Sequence, residues 1–207
     1  MMDFLASIEN SGFSTWVREA DTIFAYGTVL ALHTFGMAFL VGTSTAIDLR
    51  ILGFAPRLPL APMERFFPVL WLAFWVNALT GLVLVACSPI KFLTADPDFY
   101  IKLVAIACAI VTLRLLRREV FHRNPASLDT TPVSTKAKTL AGASLTFWAG
   151  AILAGRLTAY EPFIEIPSAL AFLIVAVVML LAGFVASRLW DSLRQRENVS
   201  EPLRRAE

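Results

Sequence analysis

Long apolar runs separated by short polar stretches dominate the chain. Five of them approach the roughly 20 residues that a helix needs to cross a hydrocarbon core of about 30 Å. The pattern therefore predicts an all-α fold, an integral membrane bundle of five transmembrane helices. The third run is the least regular, because Lys102 and Arg114 interrupt it and must extend towards headgroups or face the protein interior. The five predicted spans are residues 22–47, 66–88, 99–117, 139–160 and 166–188.

The segment before the first span mixes polar and apolar residues. Residues 1–20 carry acids in place of a basic start, and they lack an apolar core long enough for a signal peptide. We expect instead a short amphipathic helix on the membrane surface, followed by a transmembrane domain at 21–190 and a charged tail at 191–207. The expected membrane-facing side chains of the helix are Phe4, Leu5, Ile8, Phe13, Trp16 and Val17.

The composition agrees with this pattern. Hydrophobic residues make up 57% of the chain and charged residues only 16%, and the mean hydropathy is +0.67. These values exclude an ordinary soluble domain. The expected partner is the lipid bilayer, and no nucleic-acid partner is expected. The net charge of +2 says little by itself, because it hides an asymmetric distribution of charges along the chain.

The placement of Lys and Arg predicts the orientation, because cationic loops are retained in the cytoplasm. Fourteen of the 18 cations fall in three groups, at residues 50–65, 114–138 and 188–205, which the five spans place on one side. Only Arg18, Lys91, Lys102 and Arg156 fall on the other side. We therefore expect a bacterial inner-membrane protein with its amino terminus outside and its carboxyl terminus in the cytoplasm.

Several polar residues are predicted to lie inside the bilayer. His33 and Asn77 fall about eleven residues from the outer ends of their spans, near the midplane, whereas Lys102 and Arg156 lie close to the outer rim. An ionisable group at mid-depth is a functional candidate by default. Each residue also has a structural interpretation: the histidine as a hydrogen-bonded core residue, Asn77 as a contact between helices, and the two cations as interfacial anchors.

The rest of the sequence offers few candidates for a catalytic or binding site. Asp48 and Arg50 are expected at the cytoplasmic end of the first span as an ion pair or a headgroup contact, with a gating or proton role as the alternative. The sequence contains no Gly-rich phosphate loop, paired-carboxylate motif or Cys-x-x-Cys motif. No reaction is therefore assigned, and whether the chain is an enzyme stays open.

Three stretches carry a resemblance: LHTFGMAFLVGTSTAIDLRILG, PVLWLAFWVNALTGLVLVACSP and FYIKLVAIACAI. They resemble a bacterial membrane-protein family defined only as a domain of unknown function. More distantly, the pattern is similar to the HemJ-type membrane protoporphyrinogen oxidases and to the copper resistance protein D family. The resemblance to HemJ-type proteins implies haem binding, with His33 and Gly36, and Lys102 and Leu103, at the matching positions. The copper family implies copper movement across the inner membrane.

The polar residues suit a haem b in the outer half of the bundle. His33 would be the axial ligand, Lys102 and Arg156 would neutralise the propionates, and Gly36 would let the flat macrocycle approach the helix. His122 lies too far along the third span to bind the same iron, so a second ligand would be Met37 or would come from a partner subunit or a homo-oligomer.

Two alternatives to haem remain. Copper could bind a nitrogen and sulfur set made of His33, Met37 and Cys108. The third hypothesis is a membrane scaffold subunit without a cofactor, in which the polar residues only fix how the helices pack.

Overall fold

The computed structural model describes residues 1–54, 56–95, 97–121 and 133–157. Within these ranges the chain forms helices and turns and no strand. Three sequence predictions lie outside the described residues: the fifth span at 166–188, the charged tail at 191–207, and the position of His122.

Six α-helices make up the described part of the chain. Four of them, α3 to α6, are long and apolar enough to cross a membrane. These four correspond to the first four predicted spans. The all-helical class is confirmed for the described residues, and the four apolar helices are compatible with a multi-pass membrane protein. The helices are α1 (Met2–Glu9), α2 (Gly12–Glu19), α3 (Tyr26–Leu52), α4 (Phe67–Cys87), α5 (Pro97–Phe121) and α6 (Thr135–Leu157), with a 3-10 helix at Ala61–Phe66 and a π-helical turn at Lys91–Ala95.

Local signals explain where the long helices end. Gly53 ends α3 with a φ of 98°, a left-handed conformation that favours glycine, and its N–H donates to the carbonyls of Leu49 and Arg50. α5 begins at a proline, whose fixed φ suits the first helical position. At the start of α6, Ser134 Oγ accepts a hydrogen bond from the N–H of Ala137.

The four long helices pack as antiparallel pairs. α3 lies between α4 and α6, and α5 packs mainly on α6. Gly36 of α3 meets Ala73 and Asn77 of α4, and near the start of α3 the His33 ring meets Gly81, which is closer to the end of α4. We call the end of the bundle where α3 starts the His33 end, and the opposite end the Asp48 end.

Apolar side chains divide between a small core and a large outer surface. The core lies towards the Asp48 end, where residues of all four long helices, including Ile47, Leu70, Leu113 and Trp148, are buried. Many other large apolar residues of the described helices are exposed. An apolar exterior of this kind suits contact with the lipid bilayer. Examples are Phe35, Phe39, Leu72, Trp75, Leu82, Val104, Val111 and Ile152.

The first 20 residues form two helices, where the sequence suggested one. The break falls at Asn10–Ser11, because Ser11 accepts a hydrogen bond from the N–H of Ser14 and so starts α2. α2 then docks on the end of α4: Ser14 Oγ donates to the Ala86 carbonyl at 3.1 Å, and Arg18 Nη1 donates to the Cys87 carbonyl at 2.9 Å. Two carbonyls at the end of α4 that have no partner within the helix are thereby satisfied.

The apolar side chains of residues 1–20 that were predicted to face the membrane fall into a buried group and an exposed group. Leu5 and Val17 are buried within the protein, whereas Phe4, Phe13 and Trp16 are exposed. Docking on α4 therefore uses one part of the apolar face and leaves the aromatic part on the surface.

Candidate functional site

His33 lies two turns into α3 and faces α4. Its Nδ1 is 3.0 Å from the carbonyl oxygen of Asn77 and 3.1 Å from Oγ1 of Thr80. The Asn77 amide in turn donates to the His33 carbonyl at 2.8 Å. The His33 side chain thus contacts the backbone of Asn77, and the Asn77 side chain contacts the backbone of His33. The two contacts join α3 and α4 at one level of the bundle.

These contacts assign the position of the imidazole proton. A carbonyl oxygen can only accept, and the single hydroxyl hydrogen of Thr80 is used at 2.6 Å on the Val76 carbonyl. Nδ1 must therefore carry the proton and donate it towards the Asn77 carbonyl, a tautomer that we assign from the hydrogen-bond network. Nε2 then keeps a lone pair. Within the described ranges, Nδ1 makes the polar contacts of the ring, to the Asn77 carbonyl and to Thr80 Oγ1; the Asn77 amide nitrogen, 3.4 Å from Nδ1, is itself a donor and bonds the His33 carbonyl instead.

Two glycines allow the close approach of α3 and α4 at this level. A Cβ atom on Gly36 would lie 3.0 Å from the backbone nitrogen of Asn77 and 3.2 Å from the Ala73 carbonyl oxygen. A Cβ on Gly81 would lie 3.2 Å from Cε1 of His33. The space beside Gly36 is therefore filled by α4, and it is not the open surface that the sequence analysis assigned to a macrocycle.

Lys102 enters the same end of the bundle from α5. Its Cδ, Cε and Nζ atoms lie 3.5–3.6 Å from the place where a Cβ of Gly155 would stand, so its side chain runs across α6 at a glycine. Its charge also acts on the His33 ring. Lys102 is therefore directed towards the interior of the bundle, which is one of the two orientations that the sequence allowed.

The remaining predicted residues are less closely associated with His33. Arg156 is exposed at the end of α6, and Met37 is half-buried one turn after His33 on α3. Cys108 lies on α5, whose main neighbour is α6. In the described part of the chain, no group of three or more His, Cys, Asp and Glu side chains could hold a metal ion.

The sequence analysis missed two neighbours of the histidine, Thr80 and Gly81. Both follow Asn77 by one helical turn and share its face of α4. That spacing was visible in the sequence, and it could have indicated that Asn77 and Thr80 present polar atoms to the same partner.

The expected pairing of Asp48 and Arg50 is wrong. Asp48 is fully buried and lies beside Ser44, whereas Nε of Arg50 donates to the Leu58 carbonyl. The physical reason is the helical period, because residues two positions apart point to different faces of a helix. Asp48 therefore faces the protein, and Arg50 faces the connection that follows α3.

Comparisons of the chain with protein-family models, with curated proteins and with solved structures give no match.

Proposed function

We propose that this multi-pass membrane protein binds a haem b, with Nε2 of His33 as an axial ligand. The observation that carries the proposal is the hydrogen bond from Nδ1 to the Asn77 carbonyl at 3.0 Å. Metal-binding histidines donate their second ring nitrogen to a carbonyl or carboxylate in this way, since the bond fixes the ring and makes the ligating nitrogen more basic.

The set of polar groups favours haem over a bare metal ion. A haem brings four nitrogen ligands of its own, so the protein needs to supply only one or two axial side chains. A copper or zinc ion takes most of its ligands from the protein. One well-oriented imidazole, without a cluster of three metal-binding side chains in the described ranges, therefore suits a haem.

Some of the neighbouring residues position His33, and others would contact the haem itself. Asn77 holds the histidine from α4, and Gly36 lets α4 come close enough for this contact, because α4 occupies the space beside Gly36. Lys102 is the cation directed into this end of the bundle, and it would pair with a propionate. Because Met37 lies one turn from His33 on the same face of α3, any further side chain that held the iron would come from a partner membrane subunit or a second copy of the chain. Bound haem would supply one-electron or ligand-binding chemistry.

The first test is the absorption spectrum of the purified protein. We expect cells supplied with a haem precursor, iron and copper to yield a protein with a Soret band and about one haem per chain. The pyridine haemochrome assay and a metal count measure this content. Bound copper without a Soret band would favour copper handling. A protein without either cofactor would contradict the proposal and favour a scaffold subunit.

We also propose that the protein lies in a bacterial inner membrane, with five spans, its amino terminus outside and its carboxyl terminus in the cytoplasm. The uneven distribution of cations supports this orientation. The antiparallel packing of α3 to α6 supports it too, because it brings the connections after α3 and after α5, both rich in cations, to the Asp48 end. On the outer side, the exposed aromatic residues of α1 and α2 would contact the membrane surface.

Reporter fusions test this orientation. We expect alkaline phosphatase to be active when fused within residues 88–98, and a cytoplasmic fluorescent reporter to be active when inserted within residues 124–135. The reciprocal pair of fusions is the control, and both of its members should be inactive. Phosphatase activity from the 124–135 insertion would overturn the orientation.

A further inference from the structure

A second polar cluster lies near the Asp48 end of the bundle, between α3 and α6. It consists of Asp48 and Ser44 on α3 and of Ser144 and Trp148 on α6. Asp48, Ser44 and Ser144 are each 0% exposed, and Trp148 is 3% exposed. Each pair is four residues apart, so all four side chains occupy the facing sides of two packed helices.

The direction of each hydrogen bond in this cluster can be followed. The indole N–H of Trp148 can only donate, and it donates to Oγ of Ser44 at 3.1 Å. The hydroxyl hydrogen of Ser44 then points to Oδ2 of Asp48 at 3.5 Å. Oδ1 of Asp48 and Oγ of Ser144 are both buried without a hydrogen-bond partner in the described part of the chain. Ser144 nevertheless faces the same carboxyl group.

No charged side chain in the described ranges forms an ion pair with this carboxyl group. On α3, the nearest cation along the helix is Arg50, which donates to the Leu58 carbonyl. At the start of α6, Lys136 pairs with Glu119 at 3.2 Å. On the α6 side of the cluster stand Ser144 and Trp148. Neither side chain ionises in the pH range in which proteins function.

A buried carboxylate without a compensating charge is unfavourable by several kcal/mol, roughly the cost of burying one ion without a partner. Among the described residues no side chain supplies the compensating charge, so a bound proton or a bound cation is the remaining source. A sodium ion would require about five or six oxygen ligands, and one lone pair of Ser44 is already used by the Trp148 N–H. A proton needs only one acceptor, and the hydroxyl group of Ser144 lies beside this carboxyl group without a hydrogen-bond partner in the described part of the chain.

We propose that Asp48 is a proton-binding site inside the membrane bundle, in which its carboxyl group carries the proton and the hydroxyl group of Ser144 accepts it. The proton is taken from water and returned to water, and no other bond changes. This proposal rests on the cluster alone and is independent of haem binding. A carboxyl group that can hold and release a proton inside a membrane protein is a typical component of a proton relay.

Infrared spectroscopy of the full chain in lipid nanodiscs tests the proposal. At pH 7 we expect the carbonyl stretch of a protonated carboxylic acid, with a shift to lower frequency in D2O. Asp48→Asn should remove this band. Ser144→Ala should keep the band but shift it to higher frequency, because the proton loses its acceptor. If Asp48→Asn does not fold, the shift in Ser144→Ala decides the outcome.

Asp98→Asn is the matched control. Asp98 is also buried, at 2% exposure, and its Oδ1 also lacks a hydrogen-bond partner in the described ranges. The spectral feature that Asp48→Asn removes, and that Ser144→Ala shifts, should remain in Asp98→Asn. A wild-type spectrum without the band overturns the proposal. Thermal stabilisation by sodium chloride over choline chloride that Asp48→Asn abolishes would also overturn it, in favour of a sodium site.

Discussion

Replacing His33 by glutamine is expected to remove the Soret band of the purified protein entirely. Glutamine has a similar reach and keeps an N–H group that can donate to the Asn77 carbonyl, so the contact between α3 and α4 can persist. It has no imidazole nitrogen to bind iron. A haem count close to zero, with unchanged yield and unfolding temperature, would assign His33 as the ligand. A variant that retains the spectrum of the parent would contradict this assignment.

Two charge variants serve as controls for the loss of haem. Lys102→Gln and Arg156→Gln each remove one cation and no axial ligand, so both should weaken haem retention without abolishing it. The effect should be larger for Lys102, because its side chain is directed into the bundle, whereas Arg156 is exposed. Complete loss of haem in either variant, together with normal binding in His33→Gln, would mean that the roles are assigned wrongly.

Replacing Gly36 by alanine is expected to lower the free energy of unfolding by about 1–3 kcal/mol, the usual cost of overpacking. The new methyl group would meet the backbone nitrogen of Asn77 at 3.0 Å, and a neighbouring helix backbone cannot rotate away as a flexible side chain can. To relieve this contact, the backbone of α4 would have to move away from α3. The measurement is chemical unfolding in detergent micelles, with helix content as the signal.

Gly42→Ala is the matched control, since it makes the same change in the same helix. A Cβ on Gly42 would meet no atom within 4 Å. Alanine there should change stability by less than about 1 kcal/mol, in the stabilising direction, because it reduces the backbone entropy of the unfolded chain. Equal effects of the two variants would contradict the role of Gly36 in helix packing.

Much of the fold followed from the sequence because lipid imposes a simple rule. A helix must be apolar over about 20 residues to cross the bilayer, and four runs of that length became α3 to α6. The pairing of His33 with Asn77 was also accessible, since equal depth in adjacent antiparallel spans brings two polar residues to one level. Depth alone therefore predicted the common level of the two residues, whereas their contact depends on the faces that the two helices present.

The other contacts depend on which face each helix presents to its neighbours, and the pattern of residues indicates these faces only weakly. The long helices are apolar on nearly every side, so no stripe separates the lipid-facing side from the protein-facing side. Gly36 could equally have left room for a ligand or for another helix, and only the position of α4 decides between these possibilities. Asp48 looked like an interfacial residue because Arg50 is close in sequence, but the helical period separates them.

The docking of α2 on α4 has a consequence for the order of assembly during synthesis. Ser14 and its acceptor, the Ala86 carbonyl, are 72 positions apart, so α2 leaves the ribosome long before its partner exists. Until α4 is complete, residues 2–19 lack this docking site, and in the proposed membrane arrangement their exposed side chains, such as Phe13 and Trp16, would hold them on the membrane surface. Contacts between distant segments form late in folding. The bond from Arg18 to Cys87 therefore marks the completion of the α3–α4 hairpin, and protection of the Arg18 peptide bond from protease would time that step in a translation reaction.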